Sequence, residues 1–205
     1  MRILKKRWVF ALVGSLLVLT STFATGFVVD KEEQRAKKAE RDASDAERDL
    51  EHSYKAGERS LTQLETTLTQ MSMYTRPGFA QFDMSFLNSG LYAGLTHAQE
   101  AAGPDLDKEV ISKVQTVKQR IDNNGQVDVM SDFKEAHQKL TEEALNYQTQ
   151  LRTKKADLDQ ERNSAEQTSG RVRSVAIVLQ VVGLVLLLFK EAPDYPSPKE
   201  ANQNS

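Results

Sequence analysis

The chain of 205 residues contains no cysteine, three histidines and a single tryptophan. Without cysteine there is no disulfide framework, no thiolate metal site and no thiol nucleophile. Proline is scarce, at five residues, and glycine amounts to ten. Long stretches carry neither, which favours helix. An excess of one charge is also missing: 27 Lys and Arg balance 29 Asp and Glu, a formal net charge of −2. That balance supplies no polycation for nucleic acid and no acidic tail. The chain has no phosphate-binding loop, no GxGxxG turn and no HExxH. His52, His97 and His137 are far apart in sequence, and for His137, on a seam position, a packed or partly solvated histidine is the simpler reading than a ligand. No catalytic residue, metal ligand or cofactor is expected, and an enzyme is not expected.

Two apolar blocks are present. Trp8–Val29 is uncharged, and as a helix its 22 residues span ~33 Å, about the thickness of a bilayer core. Val175–Phe189 is the second block; with Val172 and Ser174 it reaches ~27 Å, with Arg171 and Arg173 at the interface. Arg2, Lys5, Lys6 and Arg7 before the first block, and Thr22-Phe23-Ala24 inside it, also fit a cleavable signal peptide. The apolar run continues through Phe27, Val28 and Val29, which favours an uncleaved anchor. The basic N-terminus puts both termini in the cytoplasm and residues 30–171 outside, in a bacterial inner (plasma) membrane. Gly14, Ser21 and Thr25 of the first block and Ala176, Gln180 and Gly183 of the second form faces that permit close helix packing. Gln180, costly near mid-membrane, is expected to bond Thr20 or Ser21, or its own helix backbone.

Between the blocks run two arms of matched length, residues 30–72 and 131–171. Each is ~64 Å if fully helical. The outgoing arm reads Ala36, Ala39, Ala43, Ala46, Leu50, then Tyr54, Gly57, Leu61, Leu64, Leu68 and Met71. That is a heptad repeat with one stutter between Leu50 and Tyr54. The return arm opens on Ser131 as an N-cap. Its seam is Phe133, His137, Leu140, Ala144, Tyr147, Leu151, Lys154, Leu158, Glu161, Ala165, Thr168 and Val172. Equal arms that both meet the membrane predict an antiparallel coiled-coil hairpin in which paired residue numbers sum to about 202. Leu50 then meets Leu151, Tyr54 meets Tyr147, Leu64 meets Leu140, and Leu68 or Met71 meets Phe133.

Residues 73–130 form a cap. Arg76-Pro77-Gly78 breaks the outgoing arm, Gly103-Pro104 separates two helices at about 83–101 and 104–122, and Asn123-Asn124-Gly125 ends the second. With the arm ends these make a four-helix-bundle tip, whose core would draw on Phe79, Phe82, Phe86 and Tyr92. The same four aromatics are the expected partner-binding surface, because Phe79 and Tyr92 lie off the main stripe. Residues 1–7 are a basic tail, 8–29 and 172–189 the transmembrane helices, and 190–205 a polar, proline-bearing tail expected to be disordered.

The fold class is thus all-α: a membrane-anchored helical hairpin with two transmembrane helices and a small bundle at its tip. The layout is similar, in topology, to the input half of bacterial chemoreceptors and sensor kinases. The short stretch after Phe189 leaves any output to a partner. Three functional readings follow: a scaffold or adaptor that binds a protein partner, which a second copy would also satisfy; a sensory or regulatory subunit with a ligand-responsive tip; and a component of envelope or lysis machinery. The partners expected are the lipid bilayer and a protein, and not nucleic acid.

Overall fold

A computed structural model describes residues 2–74, 84–123 and 129–191, and among these there is no strand. In chain order the elements are α1 Arg2–Phe23, a π-helical segment Ala24–Val29, α2 Asp30–Tyr74, α3 Met84–Ala101, α4 Lys108–Asp122 and α5 Val129–Glu191. Two stretches, Trp8–Ser72 and Met130–Phe189, are long enough and contain windows apolar enough to cross a membrane. The chain divides into two compact units, Met1–Glu40 with Asp159–Ser205, and Arg41–Leu158. Phe79 and Phe82, the break at 76–78, Gly125 and the tail 192–205 lie outside the described residues.

The first unit turns its small residues inward. Gly14, Ser21, Val29, Ala36 and Ala39 are buried on one side, and Ala165, Ser169, Ala176 and Gly183 on the other. Trp8, Phe23, Phe27, Leu188 and Phe189 are more than 60% exposed. A Cβ added at Gly14 would lie 2.7 Å from the Gly183 carbonyl oxygen, and one at Gly183 would lie 2.8 Å from that of Gly14. The two backbones therefore touch, as small residues allow and larger ones forbid. From Gly14 to Ser21 is seven residues, but from Ser21 to Val29 is eight. The π turn between them absorbs the extra residue and keeps both side chains on the buried face. Thr25 Oγ1 donates to the Ser21 and Thr22 carbonyls, at 2.9 and 3.0 Å, supplying partners inside the widened turn. Arg35–Glu161, Glu40–Arg162 and Glu33–Arg173 are ion pairs between α2 and α5. Their side chains are between 40% and 60% exposed, and pairs this open to solvent add little stability.

The second unit is built around aliphatic side chains. Leu87, Leu91, Leu95 and Ala98 of α3, Val110, Val114, Val117 and Ile121 of α4, and Phe133, Ala136, Leu140 and Ala144 of α5 share one core with Ala56 of α2. Each set recurs at three or four residues, so each helix presents one apolar stripe. α3 ends where Gly103 takes a positive φ of 81°. Only glycine adopts this readily, and a Cβ there would also strike the Tyr147 ring at 2.8 Å. α4 begins at Lys108 rather than at Pro104, because Asp107 caps it by accepting from the Glu109 N–H at 3.0 Å. α5 begins at Val129, so Ser131 lies inside the helix and is not its cap.

The expected α2 seam shifts by one residue after Leu50, and the α5 seam departs from expectation at a few positions. In α2 the buried positions after Leu50 are Ser53, Ala56, Ser60 and Thr67, with no stutter. Tyr54, Leu61 and Leu68, expected on the seam, are exposed by 41%, 58% and 50%. In α5 Gln148 is buried beside half-buried Tyr147, and Ser169 is buried where Thr168 was expected. Lys154 is also exposed, whereas Lys155 and Arg162 are half-buried.

Candidate functional site

The shift in α2 has a physical cause on α3. Ser53 Oγ donates to the Ala101 carbonyl at 2.7 Å, and Ser60 Oγ donates to the Gly94 carbonyl at 2.9 Å. A Cβ at Gly90 would lie 2.3 Å from Thr67 Oγ1. Hydroxyls spaced by seven on α2 thus meet small residues on α3, and the two helices approach closely. Leucine at positions 53, 60 or 67 would hold them apart. Polar groups buried this way carry no penalty while they remain bonded.

Two side chains of α5 complete the ladder. Gln148 Nε2 donates to Ser53 Oγ at 3.1 Å, and His137 Nε2 lies 3.0 Å from Ser60 Oγ. Each serine has one hydrogen, already given to a backbone carbonyl, so each Oγ accepts here. That fixes the Gln148 amide orientation and the His137 tautomer. Burial also holds the His137 pKa below its ordinary value and keeps the ring neutral.

Beside this ladder lies a groove of about 330 Å³. Its floor is Ala98 and Ala101 of α3. Tyr54, Gly57, Glu58, Ser60 and Leu61 line it from α2, and His137, Leu140, Thr141, Ala144, Leu145 and Gln148 from α5. The rim leucines are open to solvent, Leu61 by 58% and Leu145 by 59%. At one end the Arg152 guanidinium lies over the Tyr54 ring, 5.6 Å from its centroid, and donates to its hydroxyl.

No family model, no curated protein and no solved structure matches this chain. The function is therefore argued from the residues themselves.

Among the expected site residues, Gly14 and Gly183 meet in the first unit, where Ser21 and Ala176 are buried and Thr25 is half-buried. Gln180 is half-buried as well. Thr20 and Ser21 donate to the Leu16 and Val18 carbonyls of their own helix. Phe133, Leu140 and Leu151 are buried, and Leu50 and Leu64 half-buried. Phe86 and Tyr92 stand 50% and 40% exposed and supply none of the core, whose one aromatic ring is Phe133. Tyr92 lies under the Lys118 ammonium, 5.0 Å from its ring centroid. Burial lowers the Lys118 pKa, with Glu100 opposing the shift. The groove and its hydroxyl ladder were not expected from the sequence. Their one sequence signal is that Ser53, Ser60 and Thr67 continue the three-four spacing of Ala43, Ala46 and Leu50 without interruption.

Among the described residues no group of three His, Asp or Glu could hold a metal ion.

Proposed function

We propose that this is a two-pass membrane protein whose residues 30–171 lie on the extracytoplasmic side and act as a scaffold or adaptor for a protein partner. In this reading the arms pair as an antiparallel coiled-coil hairpin in a bacterial inner membrane. Supporting the pairing are contacts such as Glu40–Arg162 and Glu47–Lys155, in which the α5 number falls as the α2 number rises. Supporting the membrane reading is the inverted polarity of the first unit, with large apolar side chains outside and glycine, serine and alanine inside.

The observation that carries the adaptor reading is the stripe Tyr54, Leu61 and Leu68, exposed and repeated every seventh residue on α2. Heptad-spaced apolar side chains are what a partner helix packs against. Phe86 adds a second exposed apolar point. A photoreactive residue at position 68, in native membranes, is expected to capture one defined protein, and Leu61→Asp with Leu68→Asp to abolish that capture without loss of helix content. Capture of lipid alone, from positions 54, 68 and 86 alike, would refute it.

A second reading, a sensory or regulatory subunit, is favoured by one observation: the groove is lined by α2 and α5, of which α5 contains the second apolar block and α2 continues from the first through the π-helical segment.

A further inference from the structure

The groove carries an inference that goes beyond the adaptor reading and does not depend on it. Its surface is mostly apolar, and its volume of about 330 Å³ lies at the lower end of the range of small-molecule sites. His137 and Gln148, eleven residues apart on α5, mark a trough ~16 Å long. A Cβ added at Gly57 would find only Ala101 Cβ, at 3.8 Å, so the α2 wall is open there.

The polar atoms left over in this trough are acceptors, apart from the Tyr54 hydroxyl at one end, which accepts from Arg152 and keeps its own hydrogen. Gln148 is 8% exposed, its Nε2 is committed to Ser53, and its Oε1 has no hydrogen-bond partner among the described residues. His137 gives its Nε2–H to Ser60, which leaves Nδ1 as a lone-pair acceptor. The Thr141 hydroxyl donates to the His137 carbonyl and keeps its lone pairs. Glu58 is the one formal charge in the lining, and Lys55, three residues before it on α2, pairs with Glu51 instead. Arg152, the nearby cation, is held outside by Tyr54. A ligand complementary to this surface has an apolar body and brings hydrogen-bond donors with positive charge.

We propose that the groove between α2 and α5 binds a small lipophilic amine, its apolar body in the trough and its ammonium facing Glu58, with Gln148 Oε1 and His137 Nδ1 as further acceptors. A carboxylate of the same shape would meet Glu58 and unpaired acceptors, and is rejected.

The test uses the full chain in phosphatidylcholine nanodiscs, with empty nanodiscs as the baseline for lipid partitioning. The probe is 1-naphthylmethylamine, compared with 1-naphthalenemethanol and 1-naphthaleneacetate. The expected result is saturable amine binding above the baseline, at least about tenfold tighter than the carboxylate, with the alcohol between them. Gly57→Leu fills the trough and should weaken amine and alcohol alike by about tenfold or more. Glu58→Gln, at an exposed position, keeps the shape; it should bring the amine down to the affinity of the alcohol and leave the alcohol unchanged. Helix content and melting of each variant guard against misfolding, and Glu58→Gln decides the matter if Gly57→Leu does not fold. The proposal is overturned by no saturable amine binding up to ~1 mM. Equal affinity for amine and carboxylate, or indifference to Glu58→Gln, overturns it too. A failed adaptor reading leaves these outcomes unchanged, because no partner protein is present in the assay.

Discussion

The two units hold their helices together by different means. In the first, Gly14 and Gly183 meet backbone against backbone, Ser21 and Ala176 are buried, and the large side chains stand outside. In the second, Leu95, Leu140, Val114 and Ile121 are buried to 1% exposure or less in a mainly aliphatic core. Burying large apolar groups drives association only where the alternative is water. In lipid that gain disappears, and close approach of small residues takes its place. The second unit uses both devices. Its core is mainly aliphatic, yet the α2–α3 contact is again small, with Ser53, Ser60 and Thr67 against Ala101, Gly94 and Gly90. That close contact is what leaves Tyr54, Leu61 and Leu68 outside.

The contrast can be strained at several points. The largest effect is expected from Leu95→Ala, at a fully buried position, which should cost about 2–5 kcal/mol in urea unfolding of the second unit. The matching change in the first unit, Leu19→Ala on the outer face, should leave helix association unaltered. Gly14→Val should separate the first-unit helices, because its Cβ would meet the Gly183 carbonyl; a loss of about 1–3 kcal/mol is expected. Its readout is crosslinking between cysteines placed at Ser21 and Ala176, whereas Gly26→Val, with nothing near its Cβ, should leave that crosslink intact. Gly103→Ala combines a positive φ with the Tyr147 ring in the way, and about 1–3 kcal/mol should be lost in thermal melts.

A smaller effect is expected from pH. Burial lowers the His137 pKa in the folded chain, so the unfolded chain binds more protons once pH falls below the ordinary histidine value of 6.5. The corresponding stability is fully present above that value and is lost as pH falls towards the folded pKa. The urea midpoint of the second unit should therefore drop on acidification. His137→Gln should flatten that dependence. A midpoint equally pH-dependent in both proteins would show that another group is responsible.

The helical class, the two apolar spans and the small residues joining them were legible because each is a one-helix property. Length, charge and residue size along one helix suffice to state them, and Gly103 is legible for a similar reason. The α2 seam was misread because counting apolar residues favours Leu61 over Ser60. What decides between them is the partner helix: Gly94 offers Ser60 a carbonyl and room for close approach, and offers a leucine neither. The same holds for Gln148 and Ser169, polar residues whose burial depends on contacts made elsewhere in the chain. The π turn at Ala24–Val29 has no local signature, since its role is to restore a face shared with α5. The groove was invisible because it is a space bounded by three helices that no single stretch encodes.

The displacement of α2 by one seam position underlies both the exposed stripe and the groove, and the absence of native cysteine makes it directly measurable. Single cysteines at positions 53, 54, 60, 61, 67 and 68, in the purified chain in nanodiscs, should fall into two classes towards a water-soluble maleimide. Positions 53, 60 and 67 are expected to be protected and 54, 61 and 68 to react rapidly. Protection of 54, 61 and 68 with free reaction at 53, 60 and 67 would contradict the account and restore the stuttered seam.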